Sequence, residues 1–260
     1  MDFAFIVGIL LAFGSVGAMV SMEHASFASL LLPAPMILVF GATIFVGVAG
    51  GTISDAISAV KDLPKAFRGK KPNFDATIDE LVGLADKARH SSLLALEEAA
   101  GSIDDPFTKT ALQGLADGAD SESLRGQLED EIATTDKAAR ASSKFFNTLG
   151  GYAPTIGIVG TVVSLTHVLE NLSTPDKLGP MIASAFVATL WGLLSANFIW
   201  LPLAARLKRL SDLETERKNI ILEGVLEIHA GSSARALADR LRPMVPQSKK
   251  SKKDAKADSK

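Results

Sequence analysis

Thr161 and Thr189 are hydroxyls set within two long uncharged stretches, Leu149 to Leu169 and Met181 to Ala205. A threonine in an apolar helix ordinarily bonds the carbonyl one turn back, but it can also offer its oxygen to a passing ion. Both threonines lie on faces rich in small residues: Gly157 and Gly160 on the first stretch, Ala185, Gly192 and Ala196 on the second. Small side chains let helices approach closely in lipid, where packing rather than water exclusion holds them together. Gly157, Gly160, Ala185 and Gly192 are therefore the expected contact positions for a partner helix, and Thr161 and Thr189 the expected lining of an ion pathway. Ser164 and Ser195 are weaker candidates of the same kind, and His167, near the end of its stretch, reads as an interface residue.

The chemistry that is missing narrows the function further. A carboxylate, lysine or arginine inside the bilayer is the usual carrier of protons or cations through a helical bundle. None of the chain's four long uncharged stretches contains one, so if ions move here a carboxylate from another subunit must bind them. With no cysteine, thiolate metal sites and cysteine nucleophiles are excluded, and the four histidines, His24, His90, His167 and His229, have no helical ligand spacing. No nucleophile–base pair and no glycine-rich phosphate loop is present, which argues against an enzyme and against a bound cofactor or metal. The net charge of −2 gives no case for a nucleic-acid partner.

The elements that must hold these residues follow from charge distribution. Across 260 residues, 47% are hydrophobic and 22% charged, and the charge is nearly absent from four long windows. A helix needs about 20 apolar residues to cross a hydrocarbon core of about 30 Å. Phe3 to Met22 meets that length and lacks the basic leader of a signal peptide. A second window runs from Ala25 to about Ser54, with Pro33 and Pro35 at its start. The expected fold is an all-α integral membrane protein of four transmembrane helices, with a helical cytoplasmic insert between the second and third. Its expected divisions are a first hairpin over 1–54, the insert over 55–147, a second hairpin over 148–205, C-terminal helices over 206–245 and a disordered Lys-rich tail over 246–260.

Lys61, Lys65, Arg68, Lys70 and Lys71 follow the second window closely, whereas the hairpin turns hold only Lys177. The positive-inside rule then puts the insert and both termini in the cytoplasm of a multi-pass protein of the inner membrane. In the insert, Ile78, Leu81, Val82, Ala85 and Ala88 repeat at helical spacing. A long charged helix over 121–146 is expected to run into the third span. Arg89, Glu97 and Glu98 form a mixed-sign cluster whose bland reading is a solvated helix face. Pro154 reads as a helix start and Pro202 as an exit kink; the sharper reading of both is a helix with two arrangements that couples the membrane to the cytoplasm.

Ala88-Arg89, Leu94 to Glu98, Ala153 to Thr161 and Asn197 to Ala204 together resemble the flagellar motor stator subunits of the MotA/PomA type, over nearly the whole chain. The third-span motif is shared in part with the ExbB and TolQ proteins, so an energy-transducing subunit for envelope transport is the alternative. The resemblance implies five copies of this subunit around two copies of a single-span MotB/PomB-type partner, which supplies the ion-binding aspartate. It implies ion passage past Thr161 and Thr189, rotor contact with FliG through Arg89, Glu97 and Glu98, and conformational roles for Pro154 and Pro202. Sodium-type relatives tend to carry paired threonines where this chain has Ala188 and Thr189. Loss of one oxygen ligand favours protons over sodium as the coupling ion.

Overall fold

The computed structural model describes residues 4–91 and 95–246. Among them the regular elements are all helical: α1 (Ala4–Met22), α2 (Pro33–Ala49), α3 (Ile53–Arg68), α4 (Phe74–Ser91), α5 (Ala95–Gly101), α6 (Pro106–Ala116), α7 (Ser121–Glu170), α8 (Pro175–His229) and α9 (Ala234–Leu241). Three of them, α1, α7 and α8, are long and apolar enough to cross a membrane, and α2 is apolar but shorter. The Lys-rich run 249–260 lies outside the described residues.

The chain forms two compact units, residues 1–70 with 137–211, and residues 71–136 with 212–260. In the first unit, α1 ends where His24 takes a left-handed backbone (φ 54°) and the Ala25 N–H reaches back to the Val20 carbonyl at 3.1 Å. That pairing satisfies a carbonyl the helix end would otherwise orphan. Pro33 sits at the first position of α2, where its missing N–H costs nothing, as the sequence expected. Within α2, Ile37–Ala42 forms a π-helical turn. Gly50 and Gly51 then release the chain, and Thr52 starts α3 by a reciprocal cap: its side chain accepts the Asp55 N–H while Asp55 accepts the Thr52 N–H.

This unit is sewn together across α2, α3, α7 and α8. A Cβ added to Gly47 would lie 2.3 Å from Leu149 Cδ2, so α2 and α7 pack so closely that a larger residue there would require the Leu149 side chain to move. Ala59 and Ala66 of α3 are fully buried against a cluster that includes Phe146, Leu149, Leu203, Ala204 and Leu207. Ser142 donates to Asp62 at 2.7 Å and Ser143 to the Ala204 carbonyl at 2.8 Å. The Trp191 indole N–H bonds the Leu30 carbonyl at 2.6 Å, and Phe13 meets Phe198 edge-on at 5.4 Å. The outward faces stay apolar and exposed, with Leu10, Val162, Val163 and Phe186 among them.

The second unit has an ordinary aqueous core. Ile78, Leu81 and Ala85 of α4 are buried with Phe107, Leu112, Leu124, Leu128, Ile221, Val225, Leu237 and Leu241, and Val82 and Ala88 pack at its edge. Each such large side chain removed from water contributes about 1.5–3 kcal/mol. Asp105 caps α6 by accepting the Thr108 N–H at 2.9 Å, Pro106 opens it, and Gly118 (φ 74°) follows its end.

The helix expected over 121–146 runs on through the third uncharged stretch, as its charge pattern implies, and ends at Glu170 after 50 residues. Pro154 therefore lies in a helix interior rather than at a helix start. Pro202 follows a π-helical turn, Ser195–Trp200, in which the Leu201 N–H reaches the Ala196 carbonyl five residues back. The compact units are bounded at residues 70, 136 and 211, and the buried alanines of α3 belong to the first unit's core.

Candidate functional site

The site forms where α7 and α8 pass closest. A Cβ on Gly157 would stand 2.9 Å from the Ala188 carbonyl oxygen and 3.3 Å from Gly192 Cα, and one on Gly192 would stand 2.7 Å from the Ala153 carbonyl oxygen. Backbone thus meets backbone, which only glycine allows at these positions. Gly160 faces Ala188 and Leu38, and Ala185 is buried. The close approach that the small residues permit is realised here between two helices of the same chain.

That proximity brings the two threonines together. Thr161 and Thr189 are in direct hydroxyl–hydroxyl contact. Thr161 Oγ1 also lies 3.1 Å from the carbonyl oxygen of Gly157 on its own helix and 3.1 Å from that of Ala185 on α8. Thr189 Oγ1 lies 3.5 Å from the Gly157 carbonyl. Four oxygens converge, and only two hydroxyl protons are available to them, so one hydroxyl lone pair or carbonyl is free to accept from a guest. Thr161 and Thr189 are each half-buried. Back-bonding and an interhelical role coexist at Thr161, so the two readings of its hydroxyl are both realised in the geometry. Ser195 is fully buried and bonds back to Gly192 at 3.3 Å, whereas Ser164 is half-buried. His167 is exposed, 3.4 Å from Glu170.

No ionisable side chain joins this cluster, because Leu149 to Leu169 and Met181 to Ala205 carry no acid, lysine or arginine. The arrangement can accept and relay a hydrogen bond but cannot store a charge. Among the described residues no group of acids, histidines or cysteines could hold a metal ion. Thr43, in α2, is a buried residue the sequence did not single out; its hydroxyl finds no partner immediately after the π-helical turn.

The charged cluster lies in the second unit. Leu96 and Ala100 of α5 are fully buried, which turns Glu97 and Glu98 outward, and Arg89 is exposed near the end of α4. Among the described residues none of the three forms an ion pair within the chain. Their charges are therefore available to something else. By contrast, Arg217 is committed to the fold: it bonds Asp105 at 2.7 Å and Glu214 at 2.6 Å. Burial alone would raise the Asp105 carboxyl, but the bonds from Arg217 and Thr108 outweigh it and hold that carboxyl below its ordinary value. Lys218 lies over the Phe107 ring at 4.8 Å and donates to Thr135.

The fold and site define a helical membrane subunit in which two apolar helices cross with their threonine hydroxyls in contact. Residues 6–92 match the motility protein A N-terminal family, and residues 99–220 the MotA/TolQ/ExbB proton channel family. Motility protein A of Bacillus subtilis (strain 168) is 32% identical over 251 residues, 95% of this chain and 92% of that protein. Two solved structures superpose over nearly the full length. One is the C. jejuni MotAB structure (TM-score 0.91, 25% identity, 96% of this chain and 98% of that one), the other the flagellar MotAB stator complex from Bacillus subtilis (TM-score 0.87, 30% identity, 98% of each).

The chain belongs to the motility protein A branch of the MotA/TolQ/ExbB proton channel family. It is accordingly a torque-generating stator subunit of the bacterial flagellar motor, not an enzyme. The match to the motility-specific N-terminal family, with full-length motility relatives, decides against the envelope-transport alternative.

Proposed function

We propose that this subunit is a four-span protein of the inner membrane with both termini in the cytoplasm, α2 supplying the fourth crossing. Basic residues from Lys61 to Lys71 just after α2, and Arg206, Lys208 and Arg209 late in α8, support that orientation. Five copies surround two copies of a single-span MotB-type partner, whose aspartate carries the ion. The solved relatives are complexes of MotA with MotB, which supports such a partner. The observation that carries the proposal is the hydroxyl pair Thr161–Thr189 in a helix crossing without a carboxylate. A transmembrane aspartate beside it would find ready donors and acceptors, and the pair would pass the ion on to or from that carboxylate.

The coupling ion is the proton. At position 188 the side chain is a methyl packed 2.8 Å from where a Cβ on Gly160 would stand, so no third hydroxyl completes a cation shell. A proton needs only a chain of acceptors. Arg89, Glu97 and Glu98, exposed and without an ion pair among the described residues, face the rotor protein FliG and transmit torque through complementary charge. Pro154 and Pro202 are the bending points that link ion occupancy to movement, Pro202 directly after a π-helical turn whose backbone bonds are already redistributed. Gly157, Gly160, Ala185 and Gly192 act on the partner's span indirectly, by holding α7 and α8 close and so fixing where the hydroxyl pair stands.

The test is single-cell motor speed in a stator-deleted host expressing this protein with its native partner, while sodium and proton gradients are varied separately. Speed follows the proton gradient and ignores sodium. Dependence on sodium overturns the ion assignment, and absence of rotation despite confirmed assembly overturns the coupling scheme.

A further inference from the structure

Helix α3 carries three distinct faces. Ala59, Ala66 and the half-buried Leu63 pack on the first unit. Next around the helix, Ile53, Ile57 and Val60 form a stripe at spacings of four and three that is left open, 70%, 51% and 58% exposed; Phe67, 44% exposed, extends it with one edge against the Phe5 ring of α1 at 5.4 Å. Lys61, Lys65 and Arg68, with Ser54 and Ser58, occupy the remaining side. Lys65 is tied to Asp62 at 2.7 Å, and Asp62 also accepts from Ser142, whereas Lys61 and Arg68 are exposed and make no ion pair among the described residues.

We propose that α3 is an interfacial helix that docks on anionic lipid headgroups at the cytoplasmic leaflet, its open stripe sunk among the acyl chains. Two observations specify lipid as the occupant. Only three residues separate the helix from the end of α2, so its stripe starts at the depth where that span leaves the bilayer; this step rests on the membrane reading given above. Basic residues flank the stripe on the solvent side and no acidic one does, since Asp55 is spent on the helix cap and Asp62 faces Ser142. An apolar stripe bordered by lysine and arginine suits the boundary between acyl chains and phosphates, where long basic side chains reach up to the headgroups. At the far end Arg206 donates to the Gly69 carbonyl at 3.1 Å and lies 3.5 Å from that of Ala66, which fixes the helix terminus to α8. Lipid docking at α3 is thereby tied to the helix that bears Thr189 and Pro202.

The chain has no cysteine, so a single Ile57→Cys variant accepts one fluorophore, and Ser58→Cys places the same probe on the polar side. Each is made in the full chain, assembled with its single-span partner and reconstituted in phosphatidylcholine vesicles with and without phosphatidylglycerol. The probe at 57 is quenched by a nitroxide carried shallowly on the lipid, and the probe at 58 by aqueous iodide, with a contrast on the order of twofold or more. A probe at 57 that neither quencher reaches means a second copy of the chain covers the stripe, and overturns the proposal. Equal iodide access at both positions overturns it too. Moving the nitroxide to phosphatidylglycerol deepens quenching at 57, and Lys61→Gln with Arg68→Gln removes that gain; a gain that persists overturns the anionic selectivity. Carbonate extraction separates the two levels of inference: a protein that resists extraction while the probe at 57 stays aqueous refutes only the interfacial helix, whereas an extractable protein refutes the membrane reading.

Discussion

Gly157 and Gly192 pack backbone against backbone, with a Cβ on the first falling 3.3 Å from the Cα of the second and 2.9 Å from the Ala188 carbonyl oxygen. The atoms in the way are main chain, so no side-chain rotation relieves an added methyl. Gly157→Ala forces α7 and α8 apart and pulls Thr161 from the Ala185 carbonyl. The expected cost of such overpacking is about 1–3 kcal/mol. Membrane insertion survives, thermal melting of the purified complex falls, and motor speed drops; unchanged melting and speed would show that the crossing is looser than drawn.

Packing and hydroxyl chemistry can be separated at Thr189. Thr189→Val keeps the volume and removes the oxygen that meets Thr161, and Thr189→Ser keeps the oxygen and removes a methyl. If the hydroxyl pair serves the ion path, valine slows the motor several-fold at constant stator number while serine retains most of the speed. A hydrogen bond of this kind contributes about 0.5–1.5 kcal/mol to stability, so melting alone moves little. Equal speeds for both variants would assign the position to packing.

Much of this was legible before any coordinates, for reasons that differ by element. The uncharged windows announced their helices because lipid tolerates little else, and the core of α4 followed from 3.6-residue spacing at Ile78, Leu81 and Ala85. Thr161 and Thr189 were nominated by type and face, yet only the crossing shows that Gly157 and Gly192 are spent on each other. Helix α3 is hard to read from sequence because its lysines serve equally as a topology signal. The Thr52–Asp55 cap and the apolar residues at 53, 57, 60 and 67 were the cues that could have exposed it. Pro154 misled for a different reason: proline marks a helix start in water, but α7 carries it inside.

Acid should loosen the second unit through Asp105. Its carboxyl is held below the ordinary value of about 3.9, so its contribution is fully present above that pH and is lost as pH falls through the lower, folded-state value. Asp105→Asn keeps an N-cap acceptor but deletes the charge that faces Arg217, leaving Glu214 as that guanidinium's carboxylate partner. The variant is less stable at neutral pH by about 1–3 kcal/mol, the range for a charge-assisted bond. Denaturation curves from pH 7 to pH 2 check the sign: the gap between the two proteins stays constant down to about pH 4 and closes below it. A gap that widens in acid contradicts the pairing.

The last expectation concerns the exposed charges. Arg89, Glu97 and Glu98 make no ion pair within the chain among the described residues, so reversing them should leave the fold nearly untouched, within about 0.5 kcal/mol. If the affected interaction lies with the rotor, as proposed, Arg89→Glu and Glu98→Lys each reduce swimming while partner assembly and melting stay unchanged. Charge complementarity makes a stronger demand: a reversal on the rotor surface should restore speed to one of these variants and not to a variant carrying the opposite change. Motility unaffected by both reversals would remove Arg89 and Glu98 from the torque-transmitting surface and shift attention to the other exposed charges of the second unit, among them Asp86 and Lys87.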